Sequence, residues 1–145
     1  MTALVTPHFS AAEFAQQARH GQPYLDYPAE WIAERLLPLC RTLERVRLAL
    51  PVAYCMVISG YRSWAYNRAI GGAAASQHPD GRAADVAYPG HMPGVVLALV
   101  LELHARGELL HLGGLGLYPG WVHLDVRPLP ADGRIAQWTG ARRES

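Results

Sequence analysis

Apolar residues recur at steps of three and four from Trp31 through Ile32, Leu36, Leu39, Leu43 and Val46 to Leu50, with Arg35, Arg41, Glu44, Arg45 and Arg47 between them. That period lays one apolar stripe along a helix over residues 28–50. Pro38 falls inside it and predicts a kink or a division, because proline brings no amide hydrogen and crowds the preceding turn. Pro51 ends the helix and the pattern changes. Across 52–59, Tyr54, Met56 and Ile58 alternate with Ala53, Cys55 and Val57. Both sets are largely apolar, which predicts a strand covered on both faces.

The remaining elements follow from punctuation as much as from period. Ser10 and Glu13 have capping-box spacing, and Phe9 and Phe14 bracket them as a hydrophobic staple, so a short helix starts there and ends by Gly21 and Pro23. Ser63 is placed to cap a second short helix through Ile70, stopped by Gly71-Gly72. Residues 73–80 read as a loop and 82–87 as a strand. A helix over 95–106 is apolar almost all round, which predicts burial against the sheet. Gly113, Gly114 and Gly116 surround a short strand ending near Tyr118, Pro119-Gly120 is a turn signal, and 121–127 returns as the second strand of a hairpin. The tail Arg142-Arg143-Glu144-Ser145 reads as frayed. These elements predict an α+β fold, a small and mainly antiparallel sheet with helices packed on it, in a single domain over residues 1–145.

Half of the 145 residues are hydrophobic and the formal net charge is +1, which argues for a soluble globular protein and against nucleic acid or a membrane surface as the main partner. All 13 basic residues are arginine, so Schiff-base lysine chemistry and a Walker-type phosphate loop are excluded. Cys40 and Cys55 sit in apolar surroundings without metal or redox spacing and read as buried free thiols. The first residues lack a basic region and a long apolar run, so no signal peptide is recognised. The apolar run 95–103 is too short to cross a bilayer. The expectation is a monomer made in the cytoplasm, with no membrane insertion.

Candidate chemistry concentrates in two stretches. In the last hairpin strand, side chains alternate faces, so Trp121, His123, Asp125 and Arg127 share one side and Val122, Leu124 and Val126 the other. One side is ionisable and the other belongs in a core. His78 and Asp85 are seven positions apart, a spacing that does not suit one helix but suits a loop histidine converging with a strand carboxylate. Together, His78, Asp85 and His123 offer two imidazoles and a carboxylate, and three protein ligands with one position left open is the usual arrangement of a catalytic zinc. Mixed nitrogen and oxygen donors also suit some non-haem iron sites. Iron oxygenases with a His-x-Asp pair usually have a further histidine downstream, whereas His123 is the last in this chain, so zinc is preferred. The residue types by themselves also allow two surface histidines and an acid in a turn.

Ser76-x-His78, Gly81-Arg82-Ala83-Ala84-Asp85 and Val122-His123-Leu124-Asp125, with Ser59-Gly60-Tyr61-Arg62-Ser63 ahead of them, resemble the zinc D-Ala-D-Ala carboxypeptidase family, the M15 peptidases of bacterial cell walls and phages. Asn67 and Gly71-Gly72 fit the same pattern, and the opening Phe9 to Phe14 and closing Arg134 to Trp138 look like its M15A-type branch. The resemblance implies the fold shared with the Hedgehog signalling domain, zinc held by His78, Asp85 and His123, and hydrolysis of a peptidoglycan stem-peptide bond next to a D-amino acid, as carboxypeptidase or endopeptidase. It also suggests a phage or prophage role in cell-wall lysis, or a place in a phage particle.

Arg62 is the candidate substrate clamp, since a guanidinium holds a carboxylate or a developing oxyanion through paired donors. Ser76 either donates to substrate or orients its loop, and Trp121 is a candidate substrate contact. The general base is less obvious. Relatives carry glutamate three positions, or histidine two positions, before the last zinc histidine, and here those positions are Gly120 and Trp121. Asp125 is the nearest acid on the same strand face and is the candidate base, or else a support that orients a metal ligand. The competing class is a non-catalytic zinc-binding module of the same fold that binds cell wall or a protein partner.

Overall fold

The computed structural model describes residues 3–52 and 54–141, so the tail at 142–145 lies outside it. The chain opens with an antiparallel pair, β1 (Leu4–Thr6) and β2 (Phe9–Ser10), followed by one 3-10 turn at Ala11–Phe14. The Glu13 carboxylate accepts from the Ser10 amide at 2.7 Å, and the Phe9 and Phe14 ring centroids lie 6.1 Å apart. The longer helix expected up to Gly21 does not form. Ala15 is extended, and Gln16 exchanges backbone hydrogen bonds with Leu25 at 2.9 and 3.1 Å. The Gln16 side chain, 1% exposed, accepts from the Ser63 amide and donates to the Pro23 carbonyl, both at 2.7 Å. Those partners repay the segment for leaving the helix.

The periodic stretch over 28–50 is helical from Ala29 to Ala49 but not as one helix. It runs as a 3-10 turn (Ala29–Trp31), a π turn (Ile32–Leu36) and then α1 (Leu37–Ala49), with Pro38 in its first turn. The Leu37 amide donates to the Ile32 carbonyl, five residues back, just ahead of the proline that cannot donate. Leu39, Leu43 and Val46 of α1 are fully buried.

Five strands form the main sheet: β3 (Met56–Ser59), β4 (Ala83–Ala87), β5 (Gly114–Leu117), β6 (Val122–Asp125) and β7 (Ala136–Thr139), in the order β3-β4-β6-β5-β7. All pairs are antiparallel except β5 with β7. Helix α2 (Trp64–Ala69) follows β3, with the Ser63 hydroxyl accepting from the Tyr66 amide at 3.1 Å, and α3 (Pro93–Ala105) links β4 to the β5–β6 hairpin. Three expectations are corrected here. The strand over 52–59 is shorter and its faces are not fully covered, with Met56 46% exposed and Val57, Ile58 and Ser59 only partly buried, and it lies at the sheet edge. Residue 53 lies outside the described residues. Helix α3 buries one face only, Val96, Val100 and Leu103, and leaves Val95 half-exposed. The strand β7 was not anticipated. The core joins α1 and α3 to Ala84, Val86, Leu115, Val122 and Leu124, and Cys40 and Cys55 are buried free thiols beside it. No helix among the described residues is long and apolar enough to cross a membrane.

The segment ahead of α1 also grips the loop before β4. The Tyr27 hydroxyl donates to the Gly81 carbonyl at 2.6 Å, and Arg35 donates to the Asp80 carbonyl at 2.8 Å while lying 4.1 Å over the Trp31 ring. Gly81 has φ +69°, and a Cβ there would lie 2.7 Å from Trp31 and 2.8 Å from the Tyr27 hydroxyl. Gly81→Ala should therefore pay twice, about 1–2 kcal/mol for the left-handed backbone and about 1–3 kcal/mol for the overlap. Gly21, at φ +72° with nothing within 4 Å, is the control and should lose only the first part. Urea denaturation of both variants checks this; equal losses would mean that the clasp is loose.

Candidate metal centre

Strand register assembles the centre. Asp85 on β4 and His123 on β6 are direct cross-strand partners. On each strand the neighbouring positions, Ala84, Val86, Val122 and Leu124, go to the core, so the two polar side chains share the opposite face. His78 arrives from the loop between α2 and β4, where its carbonyl accepts from the Gly81 amide at 3.0 Å and its amide donates to the Ser76 hydroxyl at 3.2 Å. The three side chains are at most 1% exposed. One donor atom from each falls within 4.8 Å of the others.

The hydrogen bonds decide which atoms face inward. His78 Nδ1 lies 2.6 Å from the Gly60 carbonyl. A carbonyl only accepts, so Nδ1 carries the proton and the lone pair of the neutral ring is on Nε2. That Nε2 is 3.3 Å from Asp85 Oδ1, and His123 Nδ1 is 3.0 Å from the same oxygen. Ligand atoms bound tetrahedrally at zinc distances lie roughly 3.3 Å apart. Donor type, spacing and the fixed His78 tautomer all fit zinc.

Burial and charge pull the three groups apart. Burial pushes the Asp85 carboxyl up, but the two imidazoles beside it outweigh that and hold it well below the usual carboxylate range. Burial lowers His78, and Asp85 does not make up the loss, with Arg62 adding to it. Burial also pulls His123 down, but hydrogen bonds to Asp125 and Asp85 reverse the sign and raise it. One imidazole is thus kept neutral, and the other sits between two carboxylates.

Of the other expected site residues, Arg62, Ser76 and Asp125 touch this group. Arg62 is 1% exposed and its Nη2 lies 3.7 Å from Asp85 Oδ2. It also lines a cavity of about 450 Å³ bounded by Gln16, Arg19, Ser59 and Gly60 beside the β3 edge. Ser76 is buried and its hydroxyl holds the His78 amide, the loop-orienting contact. Trp121 stacks on Tyr118, with centroids 5.0 Å apart and planes 10° from parallel. Asp125 is fully buried. Its Oδ2 lies 2.7 Å from His123 Nε2 and accepts from Arg127 Nη2 at 2.6 Å, while its Oδ1 accepts from Arg127 Nε and the Arg127 amide at 2.9 and 3.1 Å. The expectation had singled out neither Arg127 nor Trp138 of β7, whose ring centroid is 4.9 Å from that of His123. Arg127 was legible as a member of the His123 face, but the position of Trp138 depends on β7.

Two buried imidazoles and a buried carboxylate, two of them on one face of the mainly antiparallel sheet and the third from the loop before β4, define a candidate centre for a divalent metal. The peptidase M15 family matches residues 7–125, and the chain belongs to that family. It is therefore a peptidase of a zinc-dependent family, on an α+β fold as expected. Neither a curated protein nor a solved structure matches the chain.

One zinc per chain is expected. His78→Ala, Asp85→Ala and His123→Ala should each lose it while circular dichroism reports a folded protein. Elemental analysis of the purified variants is the check, and full occupancy in any one removes that residue from the ligand set.

Proposed function

We propose that the chain hydrolyses peptidoglycan stem peptides at a bond next to a D-amino acid, as a carboxypeptidase or endopeptidase, and that it serves phage or prophage lysis after leaving the cytoplasm in which it is made. The observation that carries the reading is the buried His78, Asp85 and His123 group, in a chain of the M15 family. Zinc, when bound there, supplies Lewis acidity toward a carbonyl and lowers the pKa of water toward neutrality. His78 is oriented by the Gly60 carbonyl, and Ser76 fixes the loop that carries it. Arg62 lies between the cavity and Asp85, a place from which a guanidinium orients a substrate carboxylate or carbonyl oxygen. Trp121, stacked on Tyr118, offers an apolar surface just ahead of the strand that carries His123.

For Asp125 we favour support of His123 over proton transfer. A carboxylate has about four acceptor sites, and three Arg127 donors with the His123 ring nitrogen fill them. Burial pushes this carboxyl up, but the same hydrogen bonds from Arg127 and His123 outweigh it and hold it well below the usual range, which makes it a weak base. The same observation favours a second reading, a zinc-binding module without turnover, because it takes the nearest acid away from catalysis.

The test is digestion of purified cell wall with zinc supplied or chelated, with products identified by mass spectrometry. Zinc-dependent products cut next to a D-amino acid support the peptidase; full zinc occupancy without products supports the module. Arg62→Lys keeps the charge but not the fork. It should retain zinc and lose about 100-fold or more in turnover. Asp125→Asn separates the two roles: zinc affinity falls about 10–100-fold if it supports His123, whereas zinc stays and turnover falls about 100-fold or more if it is the base.

A further inference from the structure

The family match ends at Asp125, yet the chain continues over the metal face. Arg127 leaves β6 and closes both carboxylate oxygens of Asp125 in a fork, at 2.9 and 2.6 Å. Its guanidinium lies 5.2 Å from the centroid of Trp138, and the Trp138 ring packs against that of His123, tilted at 53°. Trp138 is itself tied down, since its indole nitrogen donates to the Tyr118 hydroxyl at 2.9 Å. Tyr118 in turn stacks on Trp121.

Strand β5 is cut to accommodate these side chains. It reads Gly114-Leu115-Gly116-Leu117, with Leu115 in the core and glycine at both positions of the opposite face. Gly114 is paired with Asp125 and Gly116 with His123 across β6, while Gly116 is also paired with Trp138 across β7. A Cβ on Gly114 would fall on the Asp125 carboxylate, and one on Gly116 would lie 2.6 Å from the Trp138 indole. The bare face of β5 is the floor on which Asp125 and Trp138 lie. Fork, ring and floor come from the segment after β6, from β7 and from β5, and all bear on one imidazole.

We propose that Arg127 and Trp138 are positioning residues that hold Asp125 and the His123 ring in the metal-binding orientation. The proposal rests on the reading of His78, Asp85 and His123 as a zinc site. Asp125 takes the Nε2 hydrogen, which leaves Nδ1 to face Asp85 and the metal. Arg127 fixes the plane of that carboxylate, and Trp138 stops the imidazole from rotating out of it.

The experiment uses full-length wild type, Arg127→Gln, Arg127→Lys, Trp138→Leu and Trp138→Phe. Zinc dissociation is followed with a chromogenic chelator at one pH. Arg127→Gln should bind zinc about 10–100-fold more weakly. Arg127→Lys should recover only part of this, because an ammonium has no fork. Trp138→Leu should weaken zinc in the same direction, and Trp138→Phe, which keeps a flat ring, should regain most of it. In parallel, nitrogen-15 NMR of the zinc-free proteins reads the His123 ring. Wild type should show one slowly exchanging Nε2 hydrogen, and Arg127→Gln should lose it without a change in the backbone spectrum. Wild-type zinc release together with an unchanged His123 signal in both Arg127→Gln and Trp138→Leu overturns the proposal. If wild type binds no zinc, the zinc reading fails by itself, and the NMR arm still decides whether Arg127 and Trp138 orient the ring.

Discussion

Asp85 and His123 face each other across β4 and β6, and every other contact at the centre presupposes that register. A slip of one residue in β6 would turn His123 into the core and bring Val122 or Leu124 to the face of Asp85. The core thus fixes the chemistry from behind. Val86, Val122 and Leu124 bury well only when Asp85, His123 and Asp125 point the other way. The hairpin at Tyr118 to Trp121, closed by the Tyr118 amide donating to the Trp121 carbonyl at 3.0 Å, holds β5 and β6 in the matching register.

The cost of this arrangement is electrostatic. Arg62, His78, Asp85, His123 and Asp125 are all 1% exposed or less, so each has lost its hydration. Charges taken out of water are tolerated when partnered, and removing one partner of a buried pair commonly costs about 3–5 kcal/mol. Here the partners form a chain, from Arg62 through Asp85 and His123 to Asp125 and Arg127. Because His123 lies between two carboxylates that favour its proton, a metal bound there would have to displace that proton.

Sequence made the centre more legible than its surroundings. The alternation of Trp121, His123, Asp125 and Arg127 against Val122, Leu124 and Val126 is a local property of one strand, and it carried over directly into the fold. The convergence of His78 with Asp85 needed the family resemblance, since nothing in a seven-residue spacing dictates contact. Period alone could not separate an edge strand from a central one at 56–59, because edge position depends on what fails to pair there. It also overstated the burial of α3, whose composition is apolar all round while only one side meets the sheet. The role of Asp125 was the least legible. Its neighbour Arg127 could be placed on the same face, but only the folded chain shows that the fork takes up the carboxylate.

The π turn ahead of α1 has a consequence for how one helical stretch serves two surfaces. Each residue of an α-helix advances the side-chain direction by about 100°, so a turn that accommodates one extra residue rotates everything before it by roughly that angle relative to everything after it. Trp31, ahead of the turn, and Arg35, within it, lie against the loop of His78. Downstream, Leu39, Leu43 and Val46 keep their stripe on the core. An uninterrupted helix would have forced one set to compromise. The irregular turn acts as a phase shift, so the loop of His78 and the hydrophobic core are each addressed by a segment in its own register.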